Sequence, residues 1–372
     1  MTEQAMNPVI IGNATLYRGD SLTVLSSLPD CSVQTCVTSP PYWGLRDYGT
    51  ATWEGGDAAC DHKMPSRFDY AINSGLGPTG AQDQASNVGS GSVQQFKSDC
   101  RKCGANRIDA QLGLESTPAE YVEKMVAVFR EVRRVLRDDG TLWLNLGSSY
   151  ASNPASGGPG QQGGGEHQRT PKGDYVRPPG FKPKDMVPIP WMVAMALQSD
   201  GWYLRQDIIW AKPNPMPESV KSRCTKSHEY IFLMAKSEKY YFDAEAIAEQ
   251  SMGRELFGNS RSKGDCEQRQ DNDRQDMTPT ETRNKRSVWT VTPKPFKGAH
   301  FATFPPDLIE PCILAGSKAG DTVLDPFNGS GTTGLVALQH GRHYVGIELN
   351  PDYLALTVPR LENAQRQERM FE

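Results

Sequence analysis

The run from Thr322 to Glu348 restricts the fold more than any other stretch of this chain. Thr322 to Leu324 reads as a strand, and Asp325-Pro326-Phe327-Asn328 takes the backbone out of it. Gly329, Gly331 and Gly334 then lead into a helix reaching Leu338, after which Tyr344 to Ile347 forms another strand that ends in Glu348. Glycine tolerates positive φ and lets the backbone approach a ligand closely, while the helix N-terminus offers free amides to a polar or anionic group. Strand, glycine turn, helix, strand and acid in this order make the nucleotide half of a doubly wound sheet, with the acid placed to hold ribose hydroxyls. The half lies late in the chain, unlike the usual dehydrogenase order.

At the other end, Leu16 to Tyr42 reads as strand, helix, strand, with Gly19-Asp20 after the first strand and an apolar helix face at Leu22, Leu25 and Leu28. Pro40 and Pro41 cannot continue a central strand, so the backbone leaves the sheet at Thr38-Ser39-Pro40-Pro41-Tyr42-Trp43. Further on, Thr117-Pro118-Ala119-Glu120 combines an N-cap, a first-turn proline and a capping-box glutamate. The predicted helix carries Val122, Met125, Val126, Phe129, Val132 and Leu136 on one face and stops at Asp138-Asp139-Gly140, before a strand over Thr141 to Leu146. Trp202 to Trp210 and His228 to Ala235 read as two more strands, and Phe304 to Asp307 leads into a helix through Leu308 and Ile313. Ala151 to Pro183, rich in glycine and proline, is expected to be a mobile loop suited to covering an active site.

The proline turn is the second chemical signal. Unable to join a ladder, the Pro40 carbonyl can point into a crevice; Ser39 adds a hydroxyl, and Tyr42 and Trp43 add flat faces. Such a set can accept hydrogen bonds from an amino group while a ring stacks on the base that carries it. Taken alone, the pattern also fits a structural turn with packed aromatics. A nicotinamide oxidoreductase would explain Gly329 to Gly334 and Glu348 but leaves this turn without a task, and a non-catalytic DNA-binding module would need the turn to be broken.

Together the motifs resemble the DNA amino-methyltransferases, specifically the beta group, whose catalytic tetrapeptide precedes the cofactor loop. TSPPYW at 38 to 43 is similar to the catalytic Ser/Asp-Pro-Pro-Tyr motif and DPFNGSGTTG at 325 to 334 to the cofactor loop. Gly19-Asp20 resembles the acid that binds the cofactor adenine, His300 to Pro305 the segment beside the methionine end, and Glu348 the ribose-binding acid. Trp210 to Pro217 and His228-Glu229 resemble the strands facing the target base. The likeness covers most of 14 to 48, 117 to 243 and 285 to 360, and implies a Rossmann-like α/β methyltransferase sheet with permuted motif order. It implies S-adenosylmethionine bound by Asp20, His300, Thr303, Asp325, Phe327, Gly329, Gly331, Thr332 and Glu348, with Ser39, Pro40, Pro41 and Tyr42 as the catalytic set.

An exocyclic amine has its lone pair drawn into the ring, so it attacks a methyl only when its hydrogens are held and the nitrogen can pyramidalise. Ser39 and the Pro40 carbonyl would do this, with Tyr42 stacked on a base flipped out of double-stranded DNA. Because Ser-Pro-Pro-Tyr is mostly associated with cytosine in the family, the resemblance favours N4 of cytosine over N6 of adenine. Related Pro-Pro-Tyr motifs also serve RNA and protein glutamine. The only Pro-Cys pair, Pro311-Cys312, falls in a predicted helix away from Ser39, so the carbon-5 route through a cysteine nucleophile is not expected.

The resemblance assigns 14–48 and 117–243 to the catalytic half, 49–116 to an insertion, 244–298 to target recognition and 299–372 to the cofactor half. In the insertion, Cys60, His62, Cys100 and Cys103 give C-x-H followed by C-x-x-C, a pattern for structural zinc or for free surface thiols. Within Met252 to Lys297, Arg254, Arg261, Arg269, Arg283, Lys285 and Arg286 could reach phosphates and guanines, though acids nearly balance them as in a solvated linker. The net charge of −4 argues against a wholly basic nucleic-acid binder but leaves room for a local basic groove. With no apolar run near the roughly 20 residues of a membrane span and no leader-like start, a cytoplasmic enzyme, bacterial or phage-encoded, is expected. A homodimer and a cognate restriction endonuclease are further partners the resemblance brings.

Overall fold

The computed structural model describes residues 7–44, 47–62, 99–151, 180–251, 282–294 and 304–368. They fall into two compact units, one built from the chain before 47 and after 111, the other from 47–111.

In the larger unit the strands are β1 (Val9–Ile11), β2 (Ala14–Arg18), β3 (Val33–Thr38), β6 (Leu136–Leu146), β7 (Ser149–Tyr150), β8 (Met186–Val187), β9 (Tyr203–Ala211), β10 (His228–Ala235), β11 (Glu249–Gln250), β12 (Thr282–Arg283), β13 (Val288–Thr290), β14 (Thr322–Asp325) and β15 (His343–Glu348). The helices are α1 (Ser21–Ser27), α2 (Pro118–Val135), α3 (Ile189–Ser199), α4 (Pro306–Gly316), α5 (Thr332–Gln339) and α6 (Pro351–Glu368). The smaller unit holds the antiparallel pair β4 (Thr52–Glu54) and β5 (Asn106–Ile108).

Nine strands form one sheet in the order β1-β2-β15-β14-β3-β6-β10-β9-β13. Five neighbours, β2, β15, β14, β3 and β6, run parallel. The first two long strands of the chain are therefore not adjacent: β14 and β15, from the far end of the sequence, fill the gap between β2 and β3. This is the Rossmann-like methyltransferase sheet with permuted motif order.

Alternation along each strand sends side chains to two cores. Leu142, Leu144 and Leu146 of β6 face α1, α2 and α3, whereas Trp143 faces the cluster holding α4, α5 and α6. α2 shows why its sequence is a helix: Tyr121, Met125, Val128, Phe129, Val132 and Val135 are buried at helical spacing. Each contributes roughly 1.5–3 kcal/mol by leaving water. β14 connects to β15 through α5 on one face, and β3 to β6 through α2 on the other. The connections diverge between β14 and β3, so the topological switch point, where a doubly wound sheet opens a crevice at its carboxyl edge, lies there.

Three local expectations shift. Of the expected α1 face, Leu25 and Leu28 are buried, joined by Ser21 and Val24, whereas Leu22 is 39% exposed. Thr117 caps α2 by accepting from Glu120 N at 3.2 Å, but the Glu120 carboxylate returns to Ser116 N and Oγ rather than to Thr117. β6 begins at Leu136, not Thr141; its exposed Arg137-Asp138-Asp139 segment is accommodated by a register shift against β3 between Val33 and Thr35. Most of the predicted loop at 151 to 183 and of the recognition segment at 252 to 297 lies outside the described residues.

Candidate active site

The switch point is closed by one carboxylate. Asp325, at the end of β14 and 1% exposed, accepts from Thr38 Oγ1 at 2.6 Å and from Phe327 N at 3.0 Å on Oδ1, and from Thr333 Oγ1 at 2.7 Å on Oδ2. It thus ties the end of β3, the loop after β14 and the start of α5 together. Burial pushes its carboxyl up to about 6, opposed by these three donors.

Above it the glycine turn is shaped from several sides. Gly331 has φ 75° and caps α5 without a side-chain bond, and a Cβ there would lie 2.5 Å from Thr357 Cγ2, so only glycine fits. Asn328 holds the turn from beneath: its Nδ2 donates to Gly329 O at 3.0 Å and Thr357 Oγ1 at 2.9 Å, and its Oδ1 accepts from Tyr344 Oη at 2.8 Å. Ser21 Oγ, from α1, donates to Pro326 O at 2.6 Å. Phe327 is half-buried against the α1 to α3 core.

Glu348 ends β15 beside this turn. Its Oε2 accepts from Gly329 N at 2.7 Å and its Oε1 from Asn350 N at 2.8 Å, and no cation among the described residues pairs with it. Burial, at 9% exposure, pushes the carboxyl up to about 7 against those amide donors, and the charge of Asp325 adds to the rise. A buried carboxylate with only amide partners retains lone pairs for two hydroxyl donors. On the next strand, Asp20 caps α1 through Oδ2, accepting from Thr23 N at 2.9 Å and Thr23 Oγ1 at 3.0 Å, and Gly19 N donates to Glu348 O at 3.0 Å. Asp20, Glu348, Asp325 and Ser39 therefore stand in a row at the carboxyl ends of four adjacent parallel strands.

The proline turn continues that row. Pro41 O accepts from Tyr121 Oη at 2.8 Å, Trp43 Nε1 donates to Glu115 O at 3.0 Å, and Gly44 N donates to Gly113 O at 2.8 Å. Among the described residues no donor takes the neighbouring Pro40 carbonyl, and the Ser39 hydroxyl has only a long 3.5 Å contact with Tyr42 Oη. Tyr42 Oη donates to Glu229 Oε2 at 2.8 Å and approaches Asn145 Oδ1 at 3.1 Å. Burial first, and then the Glu229 charge, pushes this phenol well above its usual value, so it stays a donor. The Tyr42 ring lies over Gly147, where a Cβ would come within 2.7 Å of Tyr42 Cε2. Glu229 is ion-paired to Lys212, whose Nζ sits 4.1 Å from the Trp210 ring centroid. Lys226, in the same segment between β9 and β10, donates to Ser148 O at 3.3 Å, and burial lowers its ammonium.

Of the residues singled out in the sequence, Asp20, Ser39, Pro40, Pro41, Tyr42, Asp325, Phe327, Gly329, Gly331, Thr332 and Glu348 all lie along this edge, whereas His300 and Thr303 fall outside the described residues. Asn145 and Gly147 were missed, and Thr38, Lys212 and Thr333 lay inside the quoted motifs without a role of their own. Asn145 had a signal, being the one polar side chain in the apolar run Leu142 to Leu146. Cys36 and Cys312 are buried and burial raises both thiols, so neither offers a thiolate.

The glycine turn with its buried carboxylates and the proline turn thus lie together along the carboxyl edge of one doubly wound α/β sheet. The DNA methylase profile of the N6/N4 methyltransferase type matches residues 33–359. The chain belongs to that family and is a DNA methyltransferase. It is 43% identical over 359 residues to the Type II methyltransferase M.Cfr9I of Citrobacter freundii, covering 95% of this chain and 90% of the relative. To the Type II methyltransferase M.SmaI of Serratia marcescens it is 38% identical over 346 residues, covering 92% and 89%. Among solved structures, the cytosine-N4-specific PvuII DNA methyltransferase shares the fold with a TM-score of 0.54 at 18% identity, covering 94% of this chain and 86% of that one. No helix among the described residues is long and apolar enough to cross a membrane.

Proposed function

We propose that this enzyme transfers a methyl group from S-adenosylmethionine to N4 of a cytosine flipped out of duplex DNA. The observation that carries the reading is the Pro40 carbonyl, which no donor among the described residues takes, beside the Ser39 hydroxyl and on one sheet edge with the glycine turn and Glu348. The crevice fits the cofactor: Glu348 is a buried carboxylate that no cation among the described residues pairs with, as a ribose diol requires, and it stands beside the left-handed glycine turn that opens α5. When bound, S-adenosylmethionine supplies an electrophilic methyl whose carbon–sulfur bond breaks, the electron pair staying on sulfur, as the amine nitrogen forms its new bond.

The protein's part is positioning. The Pro40 carbonyl and Ser39 Oγ accept the two amine hydrogens, which turns the nitrogen lone pair out of the ring plane and stabilises the positive charge that grows on it. The surplus proton leaves through these acceptors to water. Tyr42, fixed by Glu229 and Asn145 at its hydroxyl and by Gly147 beneath its ring, presents a flat face on which the base stacks.

Cytosine is favoured because Ser39-Pro40-Pro41-Tyr42 has the Ser-Pro-Pro-Tyr form that is mostly associated with cytosine in the family. Sequence choice belongs to 252–297; within its described part, Arg283, Lys285 and Arg286 gather around Glu249, leaving positive charge in excess for the duplex. Nucleoside mass spectrometry on DNA methylated in vitro should find N4-methylcytosine. N6-methyladenine in its place would overturn the base assignment, and no methylated base at all would overturn the activity.

A further inference from the structure

Among its described residues the smaller unit has little apolar core: Cys100 and Ala105 are buried, with Trp53, Cys60 and Cys103 packed against them, so three of these five residues are cysteines. Its strands β4 and β5 have three residues each, and an isolated two-stranded pair of that length is marginal in water. Burial among these described residues does little to hold them together.

The side chains of Cys60, His62, Cys100 and Cys103 converge on one point. Their ligand atoms all lie within 4.8 Å of one another, with Cys60 Sγ 3.8 Å from Cys100 Sγ and Cys103 Sγ 3.6 Å from His62 Nδ1. With metal–sulfur bonds of about 2.3 Å and metal–nitrogen bonds of about 2.0–2.1 Å, a tetrahedron has sulfur–sulfur edges of about 3.8 Å and sulfur–nitrogen edges of about 3.5 Å. Both observed distances match these edges. A disulfide would bring two sulfurs to about 2.0 Å and would leave the third thiol and the imidazole pointing at nothing.

The backbone is arranged for the same end. Gly104 N donates to Cys100 O at 2.7 Å and Cys100 N to Ala105 O at 2.8 Å, closing a tight knuckle that turns both of its cysteines one way, with Gly104 at φ 74°. Gly56, at φ 69°, passes so close that a Cβ would lie 2.8 Å from Cys103 Sγ. The His62 ring is held by Trp53, stacked at 4.4 Å with planes 11° apart, and His62 itself adopts φ 50°, a region a non-glycine residue seldom occupies. Local strain that aims a ring nitrogen at three sulfurs is what ligation would require.

We propose that Cys60, His62, Cys100 and Cys103 bind one zinc ion through three thiolates and His62 Nδ1. Three sulfurs and one imidazole nitrogen in a tetrahedron suit zinc, and four protein ligands leave no open position, so the ion is structural and not catalytic. The three thiols release their protons to solvent on binding, and the neutral imidazole keeps its proton on Nε2. The zinc ties together described residues of this unit that share few apolar contacts.

The test uses the full chain purified under reducing conditions without chelators. Elemental analysis should find one equivalent of zinc, retained by Cys224→Ser, which removes an exposed cysteine elsewhere, and lost from Cys100→Ser and Cys103→Ser. Extraction of zinc from the wild-type chain should speed proteolytic cleavage within 47–111, and refilling with cobalt(II) should give the intense absorption of a tetrahedral thiolate site. The cobalt spectrum and the zinc content of the wild-type chain are independent of whether the variants fold. Protein with no stoichiometric metal, a cobalt titration without thiolate absorption, or full zinc content in Cys100→Ser and Cys103→Ser would each overturn the assignment.

Discussion

If Glu348 holds the ribose hydroxyls, cofactor affinity must depend on pH in a window set by this side chain. Its carboxyl is pushed up to about 7 from the usual 4.5, burial being the largest cause. Hydroxyls that donate to it favour the charged form, so binding pulls the group toward ionisation and weakens when it is protonated first. Affinity should thus fall as pH is lowered through 7, by up to about thirtyfold between pH ~8.5 and pH ~5.5, if only the carboxylate binds productively. The ligand's own α-amino group titrates at about 7.7–8.0 and contributes to any raw profile. Glu348→Gln removes the side chain's titration but not the ligand's, and the difference between the two profiles isolates Glu348. Isothermal calorimetry of S-adenosylmethionine binding across this range is the assay. The same shift has a stability sign: the folded state holds the proton more tightly than the unfolded one, so the unliganded wild type should lose on the order of 3 kcal/mol as pH rises from about 4.5 to 7, and Glu348→Gln should lose less. Parallel binding profiles for wild type and Glu348→Gln would refute the reasoning, whatever their absolute affinities.

Other expected outcomes concern the elements that hold the crevice. Asp325→Asn places an amide donor against Thr38 or Thr333, both of which already donate there, and denaturant unfolding should show a loss of about 1–3 kcal/mol. A variant as stable as wild type would mean the switch point is not braced by this carboxylate. Gly147→Ala puts a methyl 2.7 Å from the Tyr42 ring and should lower kcat with cofactor affinity unchanged, a split readable in single-turnover assays. Tyr42→Phe keeps the stacking face but removes the bond to Glu229, so roughly a tenfold drop in kcat is expected, with a larger drop for Tyr42→Ala; equal losses in the two would remove stacking from the account.

Much of the fold was legible because its signals are local. The glycine turn announced itself by residues whose backbone no other side chain could adopt, and α2 and α5 by apolar spacing and end residues read within a few positions. The same applies to the Ser-Pro-Pro-Tyr turn, where two prolines bar the ladder without reference to any partner. On α1, Leu25 and Leu28 were read correctly as buried and only Leu22 was not, since periodicity fixes which residues line up but not how far round the sheet reaches.

What the tertiary structure alone decided is which of these local pieces meet. Tyr42 is 187 residues from Glu229 and 103 from Asn145, and Thr38 is 287 from Asp325. These pairs exist because β14 and β15 insert between β2 and β3, and because β10 runs antiparallel beside β6 so that its first residues reach the carboxyl edge. Residue spacing along the chain carries no record of strand order. The order is set by which apolar faces the helices can cover and by the hand of the crossovers, both of which are properties of the packed sheet. The chain therefore advertised its glycine turn and its proline turn separately, and the sheet, through one buried aspartate, set them side by side.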